Sequence, residues 1–154
     1  MADRGWDAFR AELVAHLEDM ADVDAVIVDV LPPLETTAVR VERSWLSRKL
    51  RPKRTHDGHP YIQFAALDET WLHMEASSNT FLTPERRLDG AAMATLDRLG
   101  WTRPTVEAAS GIDAPNYFID RPVAEAHELA AVAVQTLTQV FGVREPAGVR
   151  ISQV

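Results

Sequence analysis

The residues most able to do chemistry lie in the stretch 61–82, where a histidine and a glutamate alternate with apolar side chains. His73 and Glu75 are two positions apart, and in a β-strand that spacing places both side chains on one face of a sheet. A histidine beside a carboxylate is the smallest unit of a general-base site. The sequence places no nucleophile or oxyanion-stabilising donor beside this pair. A small enzyme with its site on this face is therefore an alternative function and not the favoured one.

A second cluster is HDGH, in which His56, Asp57 and His59 supply two imidazoles and a carboxylate. Zinc and nickel accept such ligands. The same residues are also typical of a polar hairpin loop, because Asp-Gly is a turn signal. The chain has no cysteine, which removes disulfides, thiolate zinc sites and cysteine nucleophiles. We favour the hairpin loop, and the sequence predicts no metal site and no cofactor.

Basic residues are concentrated in one segment of an acidic chain. The formal net charge of −7 works against general nucleic-acid binding, which depends on neutralising phosphates. The segment RKLRPKR nevertheless holds five of the 16 basic residues: Arg48, Lys49, Arg51, Lys53 and Arg54. We predict that this segment is a solvated loop. Contact with an acidic partner segment is the next alternative, and a nucleic-acid-associated role is the least favoured. No aromatic residue is interleaved for base stacking.

The stretch 61–82 itself predicts a β-hairpin, because apolar residues alternate on both sides of Asp68 and Glu69. One predicted face is core and carries Ile62, Phe64, Leu72 and Met74. The other is mixed and carries Tyr61, Gln63, Trp71, His73 and Glu75. The mixed face is covered by another part of the protein, covered by a partner, or exposed to water. We predict peptide contact by four residues, Trp45, Tyr61, Trp71 and His73.

Periodicity elsewhere predicts an α+β fold, an antiparallel sheet with an N-terminal helix, a middle helix and a long C-terminal helix packed on it. The predicted helices cover residues 4–21, a short segment around Met93, Leu96 and Leu99, and residues 122–141. Further strands are predicted at 22–31, 36–46 and 116–120, with a loop over 102–115. Residues 1–146 are predicted to form a single domain, and residues 147–154 a C-terminal tail.

The N-terminus and the hydropathy pattern predict a protein that stays in the cytoplasm. Acidic residues stand in MADRGWDAF where a secretory signal needs basic residues followed by an apolar run. The longest apolar run, residues 129–134, is too short to span a bilayer. We therefore expect no membrane insertion.

Five segments, taken in order, resemble a known group of proteins: YIQFAAL, the arm ending EASSNTFL, LDRLGW with the following Pro104, NYFID, and TLTQVFGV before Pro146. Over residues 61–146 the chain is similar to bacterial peptide-binding chaperones related to type III secretion chaperones and YbjN proteins. The resemblance implies a compact α+β homodimer without catalytic residues that holds a segment of a client protein. Some members accompany specialised secretion systems. Residues 22–31 and the basic loop do not match the family pattern.

The favoured function is thus a non-enzymatic chaperone or adaptor that binds a peptide segment of a client protein, which the resemblance links to secretion. Strand addition along an exposed sheet edge is a physical route to such binding, with apolar anchors entering grooves between sheet and helix.

Overall fold

The computed structural model describes residues 2–20, 25–31, 59–79, 82–107 and 112–154. These residues form helices α1 (Ala2–Glu18), α2 (Gly90–Leu99) and α3 (Ala126–Gln139). They also form seven strands: β1 (Val26–Val30), β2 (Tyr61–Ala66), β3 (Trp71–Ala76), β4 (Thr105–Glu107), β5 (Ile112–Ala114), β6 (Tyr117–Pro122) and β7 (Val149–Gln153). Five strands make an antiparallel sheet in the order β6-β3-β2-β1-β7, which confirms the predicted α+β class.

The predicted hairpin is strands β2 and β3, paired so that Phe64 lies opposite Met74. The turn between them is fixed by Asp68, whose side chain accepts hydrogen bonds from the backbone N–H groups of Thr70 at 2.7 Å and Trp71 at 2.9 Å. These bonds, the one from Thr70 first, hold the pKa of Asp68 below its ordinary value. The turn therefore sets the register that separates the two faces of the hairpin.

The hydrophobic core lies on the face of the sheet that the periodicity predicted. Ile62, Phe64, Leu72 and Met74 are fully buried in one cluster with leucines of all three helices. Helix α3 packs on this core through small buried side chains such as Ala130 and Ala133. Met93, which the sequence assigned to the apolar side of the middle helix, is instead 37 % exposed.

Helix α2 begins and ends at the residues that helix-capping rules predict. The Asp89 side chain accepts a hydrogen bond from the N–H of Ala92 at 2.8 Å, which satisfies one of the free donors of the first turn. Gly100 ends the helix in a left-handed conformation with φ of 102°, which favours glycine. Trp101 then packs back into the core, where its Nε1 donates to the hydroxyl of Thr136 at 3.0 Å.

One prediction of the chain's organisation is wrong, and another is not tested. Residues 102–115 were expected to be a loop, but they contain the paired strands β4 and β5, each only three residues long. Alternation over three residues is too short to detect against a background of polar residues. The predicted strand at 36–46 lies outside the described residues.

The expected C-terminal tail is also wrong, because residues 149–153 form the edge strand β7. This strand pairs antiparallel with β1, placing Val149 opposite Val30 and Ile151 opposite Val28. Pro146 and Gly148, which suggested an irregular end, form a short 3-10 turn that leads into the strand. Residues 149–153 therefore supply one of the five strands in the sheet of the described residues.

No helix in the described part of the chain combines the length and apolar character needed to cross a bilayer.

We expect Val149→Ala to lower the free energy of unfolding by about 1.5 kcal/mol, because Val149 is buried and the change removes two buried methyl groups. Urea denaturation measures this difference. Gln135→Ala, at an exposed position of α3, is the control and should change stability by less than about 0.5 kcal/mol. A Val149→Ala protein as stable as wild type would contradict the assignment of β7 to the folded sheet.

Candidate functional site

The face of the sheet opposite the core changes in character from its centre to its β3–β6 side. In the central strands, Ile27, Asp29 and Tyr61 alternate with the core residues and are buried. Toward β3 and β6 the face opens, and Trp71 is 42 % exposed. The predicted mixed face therefore exists, and its open part lies on β3 and β6.

His73 lies in the open part of this face between two carboxylates. Its Nδ1 is 2.5 Å from Oδ1 of Asp120, the residue opposite it on β6, and its Nε2 is 3.2 Å from Oε2 of Glu75. The ring also stacks on Phe118 with the ring centroids 5.9 Å apart. The predicted pairing of His73 with Glu75 is thus present, and a second carboxylate joins it from the neighbouring strand.

This geometry favours the charged form of His73. Ionised carboxylates only accept hydrogen bonds, so both contacts can be made together only when both ring nitrogens carry protons. The hydrogen bond to Glu75 raises the pKa of His73 above its ordinary value; partial burial opposes the change, and the bond to Asp120 adds to it. An imidazolium ion has no free lone pair, so the arrangement does not favour His73 as a general base.

Asn116, just before β6, extends the cluster into the buried part of the face. Its Nδ2 donates to the hydroxyl oxygen of Tyr61 at 2.7 Å and to Oε1 of Glu75 at 3.1 Å, and its Oδ1 accepts from the N–H of Ser78 at 3.1 Å. Burial is the main cause that raises the pKa of Tyr61 above its ordinary value. We call the set Tyr61, His73, Glu75, Asn116 and Asp120 the polar cluster.

Sequence reasoning missed two members of the polar cluster, Asn116 and Asp120. Both belong to NYFID, which the alternation identified only as a strand candidate. The available signal was the period of two in that segment, which places Phe118 and Asp120 on one face. Nothing in the sequence showed that β6 pairs with β3, so their position beside His73 could not be inferred.

The other predicted site residues are placed as follows. Tyr61 is 2 % exposed and held by Asn116, whereas Trp71 stands at the open end of the face. Outside the described residues lie Trp45, Arg48, Lys49, Arg51, Lys53, Arg54, His56 and Asp57.

Within the described ranges, no group of three histidine or acidic residues is arranged to hold a metal ion. The cavities of about 360 to 510 Å³ that described residues line lie elsewhere, and His73 and Glu75 line none of them.

The two edges of the five-stranded sheet differ. On β6, Thr102 exchanges two backbone hydrogen bonds with Phe118, and Pro122 lacks an N–H at the end of the strand. On β7, Gly148 and Val154 bond to the β1 side. Because donors alternate sides in an antiparallel ladder, Val149, Ile151 and Gln153 direct their N–H and C=O groups outward. No strand of the described residues pairs with this outer edge.

A groove of about 460 Å³ lies between this edge and α1. Its wall on the sheet side is Val149 and Ile151, and its wall on the helix side includes Gly5, Ala8 and Phe9. The small residues Gly5 and Ala8 leave room in this groove. Gly5 also lies close to Pro146, because a Cβ at position 5 would stand 3.4 Å from the proline ring. We call this feature the β7 groove.

Comparison with protein families gives a match that covers the whole chain. Residues 1–154 match the family described as T3SS (YopN, CesT) and YbjN peptide-binding chaperone 3. The chain belongs to this family of peptide-binding chaperones. No curated protein and no solved structure gives a match.

Membership in the chaperone family confirms the resemblance found in the sequence and extends it at both ends, beyond residues 61–146. It supports a chaperone role with a client peptide as partner, and it favours a protein that is not an enzyme. The site residues within the chain follow from geometry alone, since the family description names none.

Stability should depend on pH through His73. Because its folded-state pKa lies above the ordinary 6.5, the stabilisation from its two carboxylate contacts is complete below about pH 6.5 and is lost as pH rises through the raised value. The difference in unfolding free energy between wild type and His73→Gln should therefore be larger at pH 6 than at pH 9. Urea denaturation at both values measures it, with His127→Gln at an exposed α3 position as the control. An equal difference at both pH values would contradict the doubly paired imidazolium.

Asn116→Ala should destabilise the fold by about 1–3 kcal/mol, because it leaves the buried N–H of Ser78 and the hydroxyl of Tyr61 without this partner. Thermal or urea denaturation measures the change. Tyr61→Phe, which removes only one contact of the asparagine, should cost less. If Tyr61→Phe costs as much as Asn116→Ala, the asparagine does not organise the cluster.

Proposed function

We propose that this chain is a non-enzymatic, cytoplasmic chaperone or adaptor that holds an extended segment of a client protein along the outer edge of β7. The observation that carries the proposal is the row of outward backbone groups on Val149, Ile151 and Gln153, with which no strand in the described ranges pairs. The groove beside it has a mainly apolar lining that also includes Glu12. The chain's membership in a peptide-binding chaperone family supports the same role. A cysteine-free sequence is compatible with a reducing compartment.

Strand addition explains how such a site would accept a client. A bound segment would exchange main-chain hydrogen bonds with β7, and these supply affinity that does not depend on the client sequence. Side chains of a strand alternate, so every second client residue would point toward the β7 groove. Gly5 and Ala8 on α1 leave space there for apolar side chains. The site therefore selects extended segments with apolar residues at alternate positions.

The open part of the mixed face is a second proposed contact surface. Trp71 is 42 % exposed there, and its ring offers apolar contact area next to half-buried His73. Tyr61, which the sequence also proposed for contact, is buried and holds Asn116 through its hydroxyl. Contact of Trp45 with the peptide, and of the basic residues 48–54 with an acidic partner, remain predictions from the sequence.

An enzymatic role for His73 and Glu75 is less well supported than the chaperone role. Both ring nitrogens of His73 contact carboxylates, and a general base needs one nitrogen free to take a proton. The chaperone hypothesis needs only the shape and the hydrogen-bonding groups of the sheet edge.

A homodimer and a link to a secretion system are further parts of the proposal. Pairing of the β7 edge with the same edge of a second copy competes with client binding at that edge, because two identical antiparallel edges are complementary about a two-fold axis. Light scattering of wild type and of a variant with a blocked β7 edge distinguishes a second copy from a client as the occupant of this edge. A dimer that becomes monomeric when the β7 edge is blocked would assign the edge to a second copy and not to a client.

The test uses Ile151→Pro, which removes one outward N–H while the N–H groups that bond to β1 remain. Ile151→Ala is the matched control, since it also loses the side chain but keeps the donor. A client is first identified by affinity purification from the native host, and its binding segment is titrated against the three proteins by calorimetry. We expect affinity to fall about tenfold more for the proline variant than for the alanine variant.

Amide hydrogen exchange gives a second readout of the same site. Client binding should slow exchange at Val149, Ile151 and Gln153, while Arg150 and Ser152, which face β1, serve as internal controls. Equal affinities for the two variants, with unchanged exchange at the three outward amides, would refute client binding at β7.

A further inference from the structure

Arginines line the concave surface that continues past the beginning of β7. A cavity of about 360 Å³ beside Val30 and Gly148 is lined by Arg86 and Arg144. A second cavity, of about 430 Å³, lies against the first turn of α2 and is lined by Arg86 and Arg87. We call Arg86, Arg87 and Arg144 the arginine set.

These cavities adjoin the β7 groove through shared lining residues, and we call the three together the track. The β7 groove and the smaller arginine cavity share Ala147 in their linings. The smaller and larger arginine cavities share Arg86 and Phe141. A chain lying along β7 that continues past Val149 would therefore run toward the arginine set.

The arginine set is available to an external anion. Among the described residues, no carboxylate lies within 4.0 Å of any of its guanidinium groups. The cavities also contain Asp89 and Glu145, but Asp89 accepts the hydrogen bond from Ala92 that caps α2. Three arginines against two carboxylates make this part of the track locally basic on a chain whose net charge is −7.

We propose that the client segment carries acidic residues next to its alternating apolar residues, and that the arginine set binds them. Guanidinium groups form charge-assisted, often bidentate, hydrogen bonds with carboxylates. Apolar walls such as Leu88 and Phe141 beside the charges suit a mixed apolar and acidic segment. The inference rests on the proposed function, because it places the acidic residues by extending a strand bound at β7.

The direction of the client follows from the geometry of the edge. Strand β7 runs from Val149 to Gln153, so the arginine set lies beyond its N-terminal end. Antiparallel pairing is slightly more stable per residue than parallel pairing. A client strand added in this way has its C-terminal end at the arginine set, so its acidic residues follow its apolar residues.

The test measures, by fluorescence anisotropy, how tightly three synthetic peptides bind to the protein. All three contain a segment of alternating valine and threonine. In the first peptide aspartates follow this segment, and in the second asparagines follow it. In the third peptide aspartates precede it. We expect the first peptide to bind about threefold to tenfold more tightly than the other two, a difference set by two or three exposed ion pairs. Raising the salt concentration should reduce this preference.

Variants locate the effect. Arg86→Gln, at the residue shared by both cavities, should remove most of the preference for the C-terminal aspartates and change affinity for the asparagine peptide much less. Arg121→Gln makes the same charge change on β6 and is the matched control. Circular dichroism and urea denaturation verify that both variants fold.

The outcomes separate this inference from the proposed function. Equal binding of the aspartate and asparagine peptides, or a preference that survives Arg86→Gln, overturns the acidic-segment inference while strand addition at β7 stands. A preference for aspartates at the N-terminal end overturns the antiparallel direction. Failure of all three peptides to bind also overturns the inference, and the Ile151→Pro comparison with the host client then decides the proposed function separately.

Discussion

The antiparallel pairing of β7 with β1 organises the parts of this protein that bear on function. It brings the end of the chain back beside α1, where Gln153 donates from Nε2 to Nδ1 of His16 at 2.6 Å. At the other end of the strand, Nε1 of Trp6 donates to the carbonyl of Arg144 at 3.4 Å. Helix and edge strand are thereby held at a fixed separation, and the β7 groove is the space between them. Without this pairing, the edge, the groove and the adjoining arginine cavities would not exist together.

An exposed sheet edge is an aggregation hazard unless a protein protects or uses it. On β6 the hazard is reduced by the bridge from Thr102 and by Pro122. On β7 no strand of the described residues covers the outer side, and Val149 and Ile151 turn toward the groove. The contrast between the two edges favours β7 as the binding edge, which agrees with the family's description as peptide-binding chaperones.

The polar cluster shows why a histidine beside a carboxylate does not by itself indicate catalysis. His73 is paired through both ring nitrogens, and Asn116 links the same glutamate to the buried hydroxyl of Tyr61. Each contact joins two different segments: β3 to β6, and the start of β6 to β2. The cluster therefore fixes the relative position of three strands on the face opposite the hydrophobic core, and this structural role accounts for its residues.

The sequence by itself determined the elements whose signals are local. Alternation identified β2 and β3 and the core face that holds Phe64, and the spacing of Met93, Leu96 and Leu99 identified α2. Only the tertiary structure decided that residues 149–153 form a strand, that Asp120 faces His73, and that Arg86 and Arg144 line adjoining cavities. The physical reason is that periodicity records which side of an element is buried, whereas pairing between distant segments depends on which backbone groups and side chains fit together once the chain has folded.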